Sequence, residues 1–175
     1  MLPDTGEVAV AASLFPSEPE AGMTSRTTVN REHVLRKNLE VVVAHMDREA
    51  HDIEAALALY TDDVVWEAPA RGVVLRGKDR IAENYRDLFG CLDIHSTTLL
   101  RQTATEEWVF NDKLLSLTIT EDRIPGLDFP VGTKLSVRKL GAFQLRDGLI
   151  CREISHESWR SAGGITDNDD LPPET

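Results

Sequence analysis

Apolar residues recur at intervals of three and four along the first half of the chain and at intervals of two along the second. Leu35, Leu39, Val42 and Met46 follow the i, i+4, i+7, i+11 rhythm of one buried stripe, and Asn30 stands where a side chain can cap a first turn. The spacing predicts a helix over 31–48. After a break at His51, Asp52 offers a second cap, and Ile53, Ala56, Leu57 and Tyr60 share one face of a short second helix, which Thr61, Asp62 and Asp63 end. A strand over 64–68 then runs into Pro69, which has no N–H to give to a ladder. Gly72 to Gly77 read as a loop. A third helix follows, with Ile81, Tyr85, Leu88 and Phe89 on one face and Gly90 as its left-handed cap.

From residue 94 the composition turns to Thr, Val, Leu, Ile and Phe at period two, the pattern of strands. These are placed at 95–104, 107–111, 113–121, 133–145 and 149–159, the second and third as a bent hairpin around Asn111 and Asp112. The turn-forming stretch Pro125 to Gly132 joins two long strands and is placed over a pocket mouth. Helices followed by strands are the α+β signature. Residues 1–28 and 161–175 lack periodicity and read as disordered tails around one domain over 29–160, with Met23 a candidate alternative start.

Composition narrows the function classes. With 41% hydrophobic residues in 175, the chain can bury one sizeable core. A net charge of −11 with scattered Lys and Arg opposes binding to nucleic acid or an anionic membrane. No apolar run approaches the roughly 20 residues of a membrane helix, and no basic segment opens the chain, so a cytoplasmic protein is expected. Cys91 and Cys151 are too few for a disulfide framework and read as small hydrophobes.

The stretch His51 to Pro69, followed by Leu75-Arg-Gly-Lys-Asp-Arg-Ile, resembles the front half of the nuclear transport factor 2 superfamily, and Gly141 to Ile150 resembles its back half. The nearest branches are SnoaL-like polyketide cyclases, ketosteroid isomerase and limonene epoxide hydrolase. The resemblance implies a cone of three N-terminal helices on a strongly curved antiparallel sheet enclosing a pocket, a homodimer, and a small apolar substrate. The catalytic positions of those enzymes do not carry over. Where ketosteroid isomerases hold a general-base Asp, an oxyanion-hole Asp and a Tyr, this chain has Ala68, Gly141 and Ala44. Where limonene epoxide hydrolases hold an Asp, an Asn and a Tyr, it has Ser155, Ala68 and Trp66.

The last strand alternates Glu153, Ser155 and Glu157 on one face with Arg152, Ile154, His156 and Ser158 on the other. A two-residue Asp147-Gly148 turn pairs Arg146 with Leu149; a three-residue turn with a Gly148 bulge pairs Leu145 with Leu149 and is favoured here. The second register sets Gly141 opposite Glu153, Lys139 opposite Ser155 and Val137 opposite Glu157. On this reading Glu153, Glu157 and Lys139 form a catalytic cluster, burial raising a carboxyl toward neutrality for proton transfer and the nearby ammonium lowering it again, opposed environments that separate an acid from a base. Trp66, Ala68, Tyr85, His95, Gly141, Phe143 and Ser155 line the pocket, and His156 faces away. No metal-ligand spacing, phosphate loop or nucleophile elbow is present, so neither metal nor cofactor is expected. The chemistry expected is acid–base isomerisation, cyclisation or dehydration of a polyketide- or steroid-like compound. A non-catalytic ligand-binding or dimerising module and an epoxide hydrolase are the alternatives.

Overall fold

The computed structural model describes residues 21–124 and 126–162, with side chains from residue 28 onward except at Val29. The element order is α1 (Ala21–Met46), α2 (Ile53–Leu57), β1 (Tyr60–Ala68), a 3-10 turn (Pro69–Arg71), β2 (Val73–Arg76), α3 (Lys78–Gly90), β3 (Leu92–Ala104), β4 (Trp108–Ile119), β5 (Lys134–Arg146) and β6 (Leu149–Ser161). The fold is α+β, as the change of period implies. Most of the two expected tails lies outside the described residues.

Several local expectations are corrected. Helix α1 starts nine residues before the expected cap, and Asn30 sits exposed within it. No proline lies between Pro19 and Pro69, so nothing there stops the helix from propagating backward. Asp52 does cap α2, accepting the Ala55 N–H at 3.2 Å. That helix stops at Leu57, and Tyr60 opens β1 instead of closing the helix. The expected loop at 72–77 contains β2, which folds back on β1 with Trp66 opposite Leu75. Gly90 ends α3 without a left-handed turn, and Cys91 follows at φ −96°.

The sheet order is β2-β1-β6-β5-β4-β3. Strands β3 to β6 form an antiparallel meander, whereas β1 lies parallel to β6, so the sheet is mixed instead of wholly antiparallel. Alternation fixes which face of a strand is buried but not which strand lies beside it. The hairpin expected at Asn111-Asp112 is uninterrupted β4. Both residues are satisfied across the ladder: Asn111 Oδ1 accepts the Gly141 N–H at 3.2 Å, and Asp112 takes two bonds from Arg138 at 2.9 and 2.6 Å.

The β5–β6 turn has two residues, Asp147 and Gly148, at φ 55° and 78°, with Arg146 opposite Leu149. The favoured three-residue turn is therefore absent. A register shift beyond the Leu145–Ile150 pair leaves Cys151 unmatched and sets Phe143 opposite Glu153, Gly141 opposite Ser155 and Lys139 opposite Glu157. The shift is two residues from the expected pairing. Because side chains alternate with period two, the inward face is unchanged.

One apolar cluster, including Val42, Tyr60, Trp66, Ile81, Tyr85, Val109, Phe143 and Ile150, joins α1 and α3 to the inner face of the sheet. A second, around Leu88, Cys91, Leu117, Ile119, Ile124 and Leu135, closes the far end. The 124–132 segment belongs to it: Ile124 is buried, Leu127 and Phe129 pack alongside, and Gly126 approaches Arg71. Cys91 lies in this second cluster and Cys151 donates to the Gln144 carbonyl, so the cysteines are separate free thiols. No helix among the described residues is long and apolar enough to cross a membrane.

Candidate active site

The inner face of the sheet carries cross-strand rows. Val109, Phe143 and Glu153 make one row, with Trp66 of β1 beside Glu153; Asn111, Gly141 and Ser155 make the next; Lys113, Lys139 and Glu157 make a third. Two lysines side by side on an inward face repel each other unless anions reach them. Glu49, in the turn after α1, supplies one. Its Oε1 accepts from Lys113 Nζ at 2.7 Å, and its Oε2 lies 3.6 Å from Lys139 Nζ. Glu153 supplies the other, with Oε1 3.4 Å from the same ammonium. The charges balance, two carboxylates against two ammonium groups.

Glu153 Oε2 sits among three further groups. Tyr60 donates to it in a short hydrogen bond, and the Tyr85 hydroxyl donates at 3.2 Å. His45 Nε2 lies 3.3 Å from the same oxygen and 3.0 Å from the Tyr60 hydroxyl. The other ring nitrogen of His45, Nδ1, faces the Ala56 carbonyl at 3.3 Å. A carbonyl can only accept, so Nδ1 carries a proton on that side of the ring. These positions follow from local structure: His45 and Val42 are on the inward side of α1, Tyr60 begins β1, and Tyr85 projects from the apolar face of α3.

Burial opposes charge on every member, and the neighbours decide the outcome. Burial pushes the Glu49 carboxyl up, but Lys113 and Lys139 outweigh it and hold the group below the ordinary carboxylate value. Glu153 is likewise pushed up by burial and pulled well down by Lys139 and by its bonds to His45 and Tyr60. Burial would lower Lys139; Glu49, Glu153 and Glu157 raise it instead. Tyr60 and Tyr85 are raised well above the usual phenol value, by burial first and the Glu153 charge second. Of the two opposed influences expected at Glu153, the ammonium of Lys139 outweighs burial. Its partners favour the carboxylate over the neutral acid.

Of the expected trio, Glu153 and Lys139 meet, whereas Glu157, across the strand pair from Lys139, takes its hydrogen bonds from other residues. Arg71, from the 3-10 turn, reaches Glu157 at 2.9 and 3.4 Å, and Ser155 Oγ and Trp159 Nε1 each donate to it at 2.9 Å. This is a second buried ion pair, with side chains 2% and 5% exposed. Arg71 also lies over the Trp66 ring at 5.4 Å, which removes Trp66 as a stacking surface for ligands. Trp66, Ala68, Tyr85, Phe143 and Ser155 are buried in the core instead of lining an open pocket. His95 is exposed and bonds Thr118, and His156 is exposed on the outer face as expected.

Gly141 is buried against Asn111. An ideal Cβ there would stand 2.6 Å from Asn111 Oδ1 and 2.8 Å from the Phe143 ring. The side chain that an oxyanion-hole acid would need at this position is displaced by Asn111. We expect Gly141→Ala to lower stability by about 1–3 kcal/mol through overpacking, read as a lower urea midpoint at unchanged slope. An unchanged midpoint would mean that Asn111 moves freely.

A cleft of about 510 Å³ opens beside the cluster. Val43, Met46, Phe89, Ile94, Leu99 and Leu115 give it apolar walls; Glu49 and Lys113 also line it, linking it to the buried network. Among the described residues, none of the 124–132 segment lines it. Glu49 Oε2 is buried without a hydrogen-bond partner. His45, Glu49 and Glu153 bring one ligand atom each within 4.8 Å of one another, a spacing a metal ion could use. Lys113 and Lys139 already neutralise both carboxylates, so a divalent cation would leave excess positive charge in a buried site. The donor set does not favour one.

Sequence inspection missed His45, Glu49 and Lys113. His45 interrupts the apolar run Val41-Val42-Val43-Ala44, and Lys113 falls in phase with Lys139 once β4 is a single strand; those were the available signals.

No curated protein sequence matches the chain. Among solved structures, an LEH-like epoxide hydrolase from M. tuberculosis superposes with a TM-score of 0.56 at 20% identity, covering 71% of this chain and 84% of that one. A protein from Xanthomonas campestris pv. campestris assigned as a polyketide cyclase gives 0.59 at 18%, covering 70% and 91%. A phenazine biosynthesis-related protein from Pseudomonas aeruginosa gives 0.55 at 22%, covering 78% and 86%. These likenesses concern the fold. The SnoaL-like domain family matches residues 41–153, from the inward face of α1 to Glu153 itself, and the chain belongs to that family, a branch of the nuclear transport factor 2-like superfamily.

Proposed function

We propose that the protein is an acid–base enzyme that isomerises or cyclises an apolar, oxygenated small molecule without a cofactor. The observation that carries this reading is the Glu49–Lys113 pair lining an otherwise apolar cleft of about 510 Å³, a size suited to a small organic ligand. Glu49, held anionic, is the base that removes a proton from carbon next to a carbonyl. The Lys113 ammonium, 2.7 Å from Glu49 Oε1, stabilises the oxyanion that forms. Glu153 and Lys139 act from behind, one fixing the hydroxyls of Tyr60 and Tyr85, the other holding Glu49 and Glu153 in charge balance. The polyketide cyclase and epoxide hydrolase folds among the structural neighbours support a small-molecule substrate. Hydrolysis of an epoxide finds less support, because Ser155 replaces the carboxylate that would hold the water.

The test uses a panel of cyclic β,γ-unsaturated and β-dicarbonyl ketones. Formation of conjugated enone is followed by absorbance, and exchange of α-hydrogens in heavy water by proton NMR. Turnover or exchange of at least one probe above the buffer rate is expected. Binding of probes in the cleft with neither reaction would overturn the catalytic reading in favour of a ligand-binding module. That second reading is favoured by the saturation of Glu153, all of whose neighbours are already bonded to it.

A further inference from the structure

We propose that Thr97 selects the substrate by binding a second oxygen of a ketone whose first oxygen lies at Lys113, so that the cleft takes fused-ring hydroxyketones or diketones. The inference rests on the cleft of about 510 Å³ as the ligand site and on Lys113 as the partner of the ketone oxygen. On the sheet side the cleft is walled by β3 and β4. Leu99 lies opposite Lys113, Thr97 opposite Leu115 and Ile94 opposite Leu117, and all of these except Leu117 line the cleft. This order depends on a bulge. Between Ile94 and Ser96 the register shifts, and one residue of β3 is left over. With one-to-one pairing from Ile94 onward, Ser96 and Thr98 would stand on the cleft side and Thr97 and Leu99 on the outer face. The extra residue reverses that parity and sets a single hydroxyl between two apolar side chains of this wall.

Among the described residues the Thr97 hydroxyl has no hydrogen-bond partner, and it is exposed in the cleft, so a ligand reaches it without rearrangement. Its neighbours along the wall, Ile94, Leu99 and Leu115, are aliphatic and offer a ligand oxygen nothing. Val43 and Leu99 are large apolar side chains left 36% and 48% exposed beside it, and an apolar frame laid between Lys113 and Thr97 covers Leu99. Thr97 and the Lys113–Leu99 pair stand two residues apart along the ladder, a rise of about 7 Å. Two fused six-membered rings span that distance. A hydroxyl both donates and accepts, so Thr97 takes either a ligand hydroxyl or a ligand carbonyl. A ligand without the second oxygen strips water from Thr97 and gives back no hydrogen bond.

Titration calorimetry on the full chain tests this with β-tetralone and two hydroxylated analogues. One carries its hydroxyl on the far ring, diagonally opposite the carbonyl; the other carries it next to the ring fusion. The first binds about 3- to 10-fold tighter than β-tetralone, the effect of one hydrogen bond, and the second gains nothing. Thr97→Val abolishes the preference and leaves β-tetralone binding within a factor of about two, whereas Thr97→Ser keeps the preference. Equal affinity of the three ketones for the wild type, or an undiminished preference in Thr97→Val, overturns the proposal and leaves Glu49 as base intact. Weaker binding of all three ketones to Thr97→Val by the same factor overturns it as well. If the preference is present but no bound ketone exchanges its α-hydrogens, the catalytic reading fails and selection by Thr97 stands. If the wild type binds none of the ketones, the cleft is not the ligand site and both readings fail. Should Thr97→Val misfold, the comparison of the two hydroxyl isomers on the wild type decides.

Discussion

Replacing Glu49 by Gln lowers turnover or α-hydrogen exchange of ketone probes by about 10²- to 10⁴-fold, the usual contribution of a positioned general base. The substitution keeps the shape of the side chain and an acceptor oxygen for Lys113, but it leaves two buried ammonium groups against one carboxylate, so rates are compared where near-ultraviolet circular dichroism shows the native fold. What disappears is the negative charge able to take a proton. The loss falls on kcat more than on the Michaelis constant, because the apolar walls at Met46, Phe89, Ile94 and Leu115 still hold the ligand. His95→Gln serves as the control. His95 is exposed and bonded to Thr118 outside the cleft, and its variant keeps wild-type turnover. Equal activity of Glu49→Gln and wild type, with native near-ultraviolet circular dichroism, would remove Glu49 from the mechanism.

The second large effect concerns stability. Glu153→Gln takes a charge from a side chain with no exposed surface that receives Tyr60, Tyr85 and Lys139 together. Lys139 would then share Glu49 with Lys113, two buried ammonium groups on one carboxylate. Breaking a buried ion pair from one side costs about 3–5 kcal/mol, and urea unfolding should show a loss of that order. Glu153→Gln combined with Lys139→Met should recover part of it, since both charges leave together. If the double variant is as unstable as the two single losses added, the pair is not coupled as the geometry implies.

The same groups set the acid limit of the fold. Glu49 and Glu153 have folded-state values below the ordinary 4.5. A carboxyl depressed on folding stabilises the native state above its unfolded value, and that contribution is lost as pH falls below it. Stability should therefore be level above about pH 5 and decline in more acid solution as protons are taken up on unfolding. The decline should be shallower in Glu153→Gln, which has one depressed carboxyl fewer. An identical pH dependence in variant and wild type would mean that Glu153 is not depressed.

Much of the fold could be read in advance because the signals are local. The stripe of Leu35, Leu39, Val42 and Met46 identifies a helix wherever it packs, and the alternation of Glu153, Ser155 and Glu157 identifies one face of a strand. The inward face survived a wrong turn and a wrong register for a physical reason. The two-residue turn and the unmatched Cys151 each shift the pairing by one, and together they restore the parity. Where a signal depended on a distant partner it misled. Asn111 and Asp112 resemble turn formers until Gly141 and Arg138 are beside them, and Tyr60 continues the apolar face of α2 until β1 claims it.

By itself the sequence determined the α+β class, the change from helical to strand period along the chain, and the alternation that sets Glu153, Ser155 and Glu157 on one face of the last strand. Periodicity and family resemblance suffice for these, because they depend on spacing within one or two neighbouring segments. Only the tertiary structure decided that Glu157 bonds Arg71, which side of the last strand faces inward, that Lys139 lies close enough to Glu153 to lower its carboxyl, and that His45 and Glu49 gather around them with Lys113. Each depends on side chains brought together across dozens of residues, and the charge a buried group carries is set by those neighbours and not by its own identity.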